Sequence, residues 1–158
     1  MATYETLRSE RREDARRKLD SYRSLCTLNE QMLKLMADAE SRMLSVTAQM
    51  GETRGSSTAK DAMGDNIAAI CEAADRMREL CEGYASTLDE TAKLVREVMD
   101  IDALAGEVLA IRYMEPGRPP EFCEIADRLG YTEAHIYGKH LDGLDIAADV
   151  MNILSIPK

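Results

Sequence analysis

The stretch YRSLCTLNEQMLKLMADAESRMLSVTAQM, residues 22–50, decides the fold. Tyr22, Leu25, Asn29, Met32, Met36, Ala39, Met43, Val46 and Met50 follow one another at alternating steps of three and four residues. That spacing places them on one helix face and defines a coiled-coil seam. A second series, Met63, Ile67, Ile70, Ala74, Met77, Cys81, Tyr84, Leu88, Thr91, Val95 and Val98, keeps the same alternation. A seam with a period of about 3.5 residues draws helices into a left-handed supercoil. Between the two lies Gly51 to Thr58, rich in Gly, Ser and Thr, which reads as a loop over about residues 51–60. Ser57, Thr58 or Asp61 is the expected cap of the helix that follows.

At about 1.5 Å rise per residue, helices over residues 3–50 and 61–99 are about 70 Å and about 58 Å long. Neither can bury its stripe alone. A short loop joins antiparallel neighbours, so residues 1–100 are expected to form a long antiparallel coiled-coil hairpin. Met-rich and Ala-rich seams pack less specifically than Ile/Leu seams. A second copy would bury more of this surface, and a homodimer is expected. Asn29 in the seam is either a register device or a tolerated polar residue.

The composition fits an all-α chain. Of 158 residues, 31% are charged and 45% apolar, yet there are ten Met, one Phe and no Trp. Ala, Glu, Arg, Leu and Met favour helices, and the aromatic and β-branched residues of strands are scarce. No long apolar run is present, so no membrane span is expected, and the N-terminus lacks the apolar core of a secretion signal. The expectation is a soluble, intracellular protein. Cys26, Cys71, Cys81 and Cys123 form no C-x-x-C pair and read as buried, reduced thiols. Cys123, His135 and His140 match no zinc spacing, so neither metal nor other cofactor is expected.

The net charge of −9 is unevenly spread. Seven cations, Arg8, Arg11, Arg12, Arg16, Arg17, Lys18 and Arg23, fall within the first 23 residues, interleaved with Glu5, Glu10, Glu13, Asp14 and Asp20. This basic start suits phosphate, an acidic partner surface, or simply solvent. The remainder of the chain is acidic.

From residue 101 the pattern changes. Asp102 is positioned to N-cap a helix from Ala103 to about Met114, with Leu104, Val108 and Ile111 on one face. Glu115-Pro116-Gly117-Arg118-Pro119-Pro120 is a loop. Glu121 to Leu129 reads as a short helix with Phe122, Ile125, Ala126 and Leu129 inward, ended by Gly130 in the left-handed conformation. Thr132 caps a last helix from Glu133 to about Leu154, burying Ile136, Leu141, Leu144, Ala148 and Met151. A short helix, a tight Gly turn and a second helix entered through Thr is the layout of a helix-turn-helix, whose second helix enters the DNA major groove.

Ile111-Arg112-Tyr113-Met114-Glu115, followed by Phe122-Cys123-Glu124-Ile125-Ala126-Asp127-Arg128-Leu129-Gly130-Tyr131-Thr132-Glu133-Ala134-His135-Ile136, resembles sigma factor region 4. It is more closely similar to phage and prophage sigma-like transcriptional regulators of the ArpU/RinA type, which join a helical hairpin to a C-terminal helix-turn-helix. Thr53-Arg54-Gly55 is similar to the loop before their second helix. The resemblance implies a cytoplasmic protein of a bacterial host cell that regulates phage gene expression and binds double-stranded DNA. On it, Thr132, Glu133, Ala134, His135, Tyr137, Gly138 and Lys139 would face the groove or backbone, and Arg112, Arg118 and Arg128 would hold flanking phosphates.

One departure bears on affinity. Members carry two or more arginines on the recognition helix, and this chain has Ala134, Tyr137 and Gly138 at the matching positions. Lys/Arg neutralisation of phosphate supplies most non-specific affinity, so each module is expected to bind DNA weakly. Two other readings stand beside this one. A degenerate helix-turn-helix would bind protein, RNA polymerase among the candidates. A DNA-packaging component resembling a small terminase subunit would form a ring. No H-E-x-x-H, P-loop or activated nucleophile is present, and an enzyme is not expected.

Overall fold

Both seams lie on long helices. The computed structural model describes residues 4–50 and 57–154. α1 runs Tyr4–Met50 and α2 runs Ser57–Ile101. α3 is Ala103–Leu109, and a π-helical turn, Ala110–Met114, extends it. α4 is Phe122–Leu129 and α5 is Glu133–Leu154. Every regular element among the described residues is helical. Thr58 and Asp61 lie inside α2 rather than at its cap, because the helix begins four residues before the expected start. Residues 51–56, including Thr53-Arg54-Gly55, are outside the described residues.

Along α1 the partners on α2 fall in number. Lys18 Nζ lies 3.5 Å from Glu90 Oε2 and Met36 Sδ lies 3.8 Å from Cys81 Sγ, so the helices run antiparallel. The chain divides into two compact units, and the boundary expected near residue 100 falls inside one of them. The first joins Met1–Leu25 to Thr87–Lys158, and the second is Cys26–Ser86.

In the second unit the seam pattern holds on both helices. Asn29, Met32, Met36, Ala39 and Met43 on α1 are half-buried, as are Ile67, Ala74, Met77 and Tyr84 on α2, with Cys81 buried. Ile70 departs from the series and is exposed.

The first unit holds the core. Ala15 and Leu19 of α1, Leu94, Val95 and Val98 of α2, Ala105 and Leu109 of α3, Tyr113, and Leu144, Ala147, Ala148 and Val150 of α5 form one buried cluster. Ala15 and Leu19 extend the buried side of α1 toward the N-terminus, with two successive steps of three from Leu19 to Tyr22 and Leu25. Val108, Ile111, Ile125, Ala126 and Ile136 form a second cluster between α3, α4 and α5. Small residues set two of these approaches. A Cβ on Gly106 would lie 2.6 Å from Met99 Cα, and one on Gly143 would lie 3.0 Å from Leu109 Cγ.

The Arg-rich start of α1 meets an acidic surface of its own chain. Arg8 and Arg12 both donate to Asp145 on α5, Arg12 Nε at 2.5 Å, and Arg11 Nη2 donates to Asp149 at 2.5 Å. Burial pushes the Asp145 carboxyl up, but the hydrogen bonds from Arg12 and Arg8 outweigh it and hold its pKa below the usual range. Arg23 donates to the carbonyls of Glu115 (2.7 Å) and Arg112 (2.9 Å), at the end of the π-helical turn.

The burial expected of the cysteines holds for Cys81 alone. Cys26 is half-buried, and Cys71 and Cys123 are exposed. No group of three or more metal-ligating side chains occurs among the described residues. Among them no helix is long and apolar enough to cross a membrane.

Candidate nucleic-acid interface

α4, its turn and α5 are built by local signals. Glu121 accepts from the backbone of Glu124 while the Glu124 carboxylate accepts from Glu121 N at 2.7 Å, a reciprocal box that starts α4. Gly130 ends it at φ 75°, with Gly130 N and Tyr131 N both donating to Ala126 O at 2.9 and 3.0 Å. Thr132 Oγ1 accepts from His135 N at 3.3 Å and opens α5. At the other corner Asp102 Oδ1 accepts from Ala105 N at 3.0 Å and caps α3.

α5 has two faces in its first turns. Ile136 and His140 are buried against α3, α4 and the π-helical turn. Thr132, Glu133, Ala134, His135 and Tyr137 are exposed, and Gly138 is half-exposed with open space where a Cβ would stand. The His135 ring stacks on Tyr131 at 5.1 Å. Tyr137, 48% exposed, sets its ring edge on Phe122 at 5.2 Å. Five of the residues expected at DNA are therefore solvent-exposed at the start of α5.

The expected cations are placed differently. Lys139 Nζ donates to Asp102 Oδ2 at 2.7 Å, which raises the lysine pKa and lowers that of the aspartate. Lys139 thus ties α5 to the cap of α3. Arg128 pairs in two-pronged fashion with Glu115, both bonds at 2.8 Å, and holds that carboxyl below its ordinary range. Arg118 donates to Glu124 at 2.6 Å. Arg112 donates to the Pro120 carbonyl and lies 5.0 Å over the Phe122 ring. All four cations thus hold polar partners within the chain.

His140 is a packing residue of α5, one of the two readings its position on the helix allows. It is 2% exposed, its Nε2 lies 2.8 Å from the Tyr113 hydroxyl, and its ring packs 4.9 Å from Phe122. Burial, with Arg16, Arg112 and Arg12 nearby, lowers its pKa to about 4. A helical-period reading of α5 that includes polar residues would have put it inward, four residues after Ile136.

Compared with known proteins, the chain matches no protein family, no curated protein and no solved structure.

Proposed function

We propose that α4, the Gly130 turn and α5 form a helix-turn-helix that reads double-stranded DNA, in a transcription regulator of the phage sigma-like kind. The observation that carries this reading is the division of α5. Ile136, His140 and Leu144 are given to the core, while Thr132, Glu133, Ala134, His135 and Tyr137 stand exposed at its N-terminal end. That end is the part of a second helix that reaches base edges. Thr132, His135 and Tyr137 supply hydroxyl and ring nitrogen groups for bases or phosphates. Arg118 and Arg128 are half-exposed or more, and exposed ion pairs contribute little, so phosphate can replace their carboxylate partners.

The engagement of Lys139, Arg128, Arg118 and Arg112 within the chain favours a second reading, a protein-binding module with RNA polymerase among its partners. Fluorescence anisotropy with duplexes from the flanking genomic DNA at two salt concentrations separates the two. Ala134→Glu is the informative variant, because it adds a negative charge on the exposed face and Glu is a good helix former. Salt-sensitive binding that Ala134→Glu abolishes supports the DNA reading. No binding at low salt by a folded protein rejects it in favour of the second.

A further inference from the structure

The second unit, Cys26–Ser86, has an apolar flank that its own chain leaves open. Its seam residues are only half covered, since two helices shield each other on one side. Leu28 and Leu35 stand immediately before the seam residues Asn29 and Met36, and are 43% and 53% exposed. On α2, Ala73 and Leu80 stand immediately before Ala74 and Cys81. Ala73 is exposed and Leu80 is 49% exposed. These are heptad g positions, and in an antiparallel pair the g rows of both helices fall on the same side of the seam. The opposite flank carries a charge on each helix, with Cys26, Leu33 and Glu40 on α1 and Cys71, Arg78 and Ala85 on α2.

Over these two heptads the stripe is apolar, and Arg42 follows at the next g position of α1. Two features identify what covers the g flank. The next row outward on the same side carries Asp38 on α1 and Arg76 on α2. One chain therefore presents both halves of a charge pair beside one apolar stripe, as a self-complementary two-fold interface requires. Finally, the Asn29 Oδ1 within this seam is buried with no hydrogen-bond partner, the cost that a polar seam residue incurs until a neighbouring helix answers it.

We propose that a second copy of this chain closes this flank, hairpin against hairpin, in a four-helix bundle. Its interface is the Leu28, Leu35 and Leu80 stripe, with α1 of one copy against α2 of the other and Asp38 beside the copy's Arg76. This inference is independent of the DNA reading, since no residue of α4 or α5 enters it.

Sedimentation equilibrium of the full chain at micromolar concentration tests it. The expected mass is twice 17.6 kDa. Leu35→Glu combined with Leu80→Glu sets carboxylates into the interface and should raise the dissociation constant by about a hundredfold. Asp38→Arg should weaken the dimer, and adding Arg76→Asp to it should restore it. Far-UV circular dichroism of each variant monitors the helices, and the charge-reversal pair decides the matter if the glutamate variant loses helix. A monomeric wild type overturns the proposal. So does a dimer indifferent to these variants, or an assembly of seven or more copies.

Discussion

The buried histidine makes the stability of the first unit depend on pH. His140 has a folded pKa of about 4 against 6.5 for the exposed side chain. Burial is the main cause, and Arg16, Arg112 and Arg12 add repulsion against a second proton. Because the folded value lies below the unfolded one, the contribution is fully present above about pH 6.5 and is lost as pH falls toward 4. Each unit between the two values costs about 1.4 kcal/mol, so a fall from about pH 6.5 to about pH 5 removes about 2 kcal/mol. Asp102, Glu115 and Asp145, whose carboxyls are held below their usual range by lysine or arginine, also contribute stability that is lost at acid pH. Urea unfolding followed by circular dichroism at three or more pH values measures the slope. His140→Leu should be less stable at neutral pH, because the Tyr113 hydroxyl loses its partner, but its stability should stay flat over the same window. A flat profile in the wild type, or an unchanged slope in His140→Leu, refutes the assignment.

Other substitutions have equally definite outcomes. Gly138→Ala puts a methyl into open space in mid-helix and should stabilise the protein by about 1 kcal/mol, read as a higher Tm; a lower Tm contradicts the exposed placement. Gly106→Ala should do the reverse and strongly, since its Cβ overlaps the Met99 backbone, and native-like helicity at an unchanged Tm would show that the α2–α3 corner is not as described. Asp145→Asn should lower Tm by an amount that shrinks in high salt, because it loosens Arg8 and Arg12 from α5. Lys139→Glu should destabilise the fold as well as any complex, since it sets a carboxylate against Asp102. Loss of DNA binding in that variant therefore has to be read beside its melting curve.

Much of this architecture is legible in the residues. The three-and-four spacing from Tyr22 to Met50 and from Met63 to Val98 forecasts two long helices, and Asp102, Gly130 and Thr132 mark the helix ends where the structure has them. These are local signals, set by side-chain period and backbone geometry. What the sequence withheld is tertiary. Nothing in Arg8, Arg11 and Arg12 says that their acidic partner is Asp145 and Asp149, some 137 residues away. A lysine on a recognition helix reads as free for phosphate until the fold brings the α3 cap to it. His140 looks polar until Tyr113 supplies a bond and Phe122 covers the ring.

The central claim is that the exposed N-terminal face of α5 reads DNA. Anisotropy titration of genomic-neighbourhood duplexes with the wild type and Ala134→Glu, matched for helicity and Tm, addresses it most directly. The account predicts salt-dependent binding by the wild type and its loss in the variant. Equal binding by both proteins, or none by either at low salt, would contradict it.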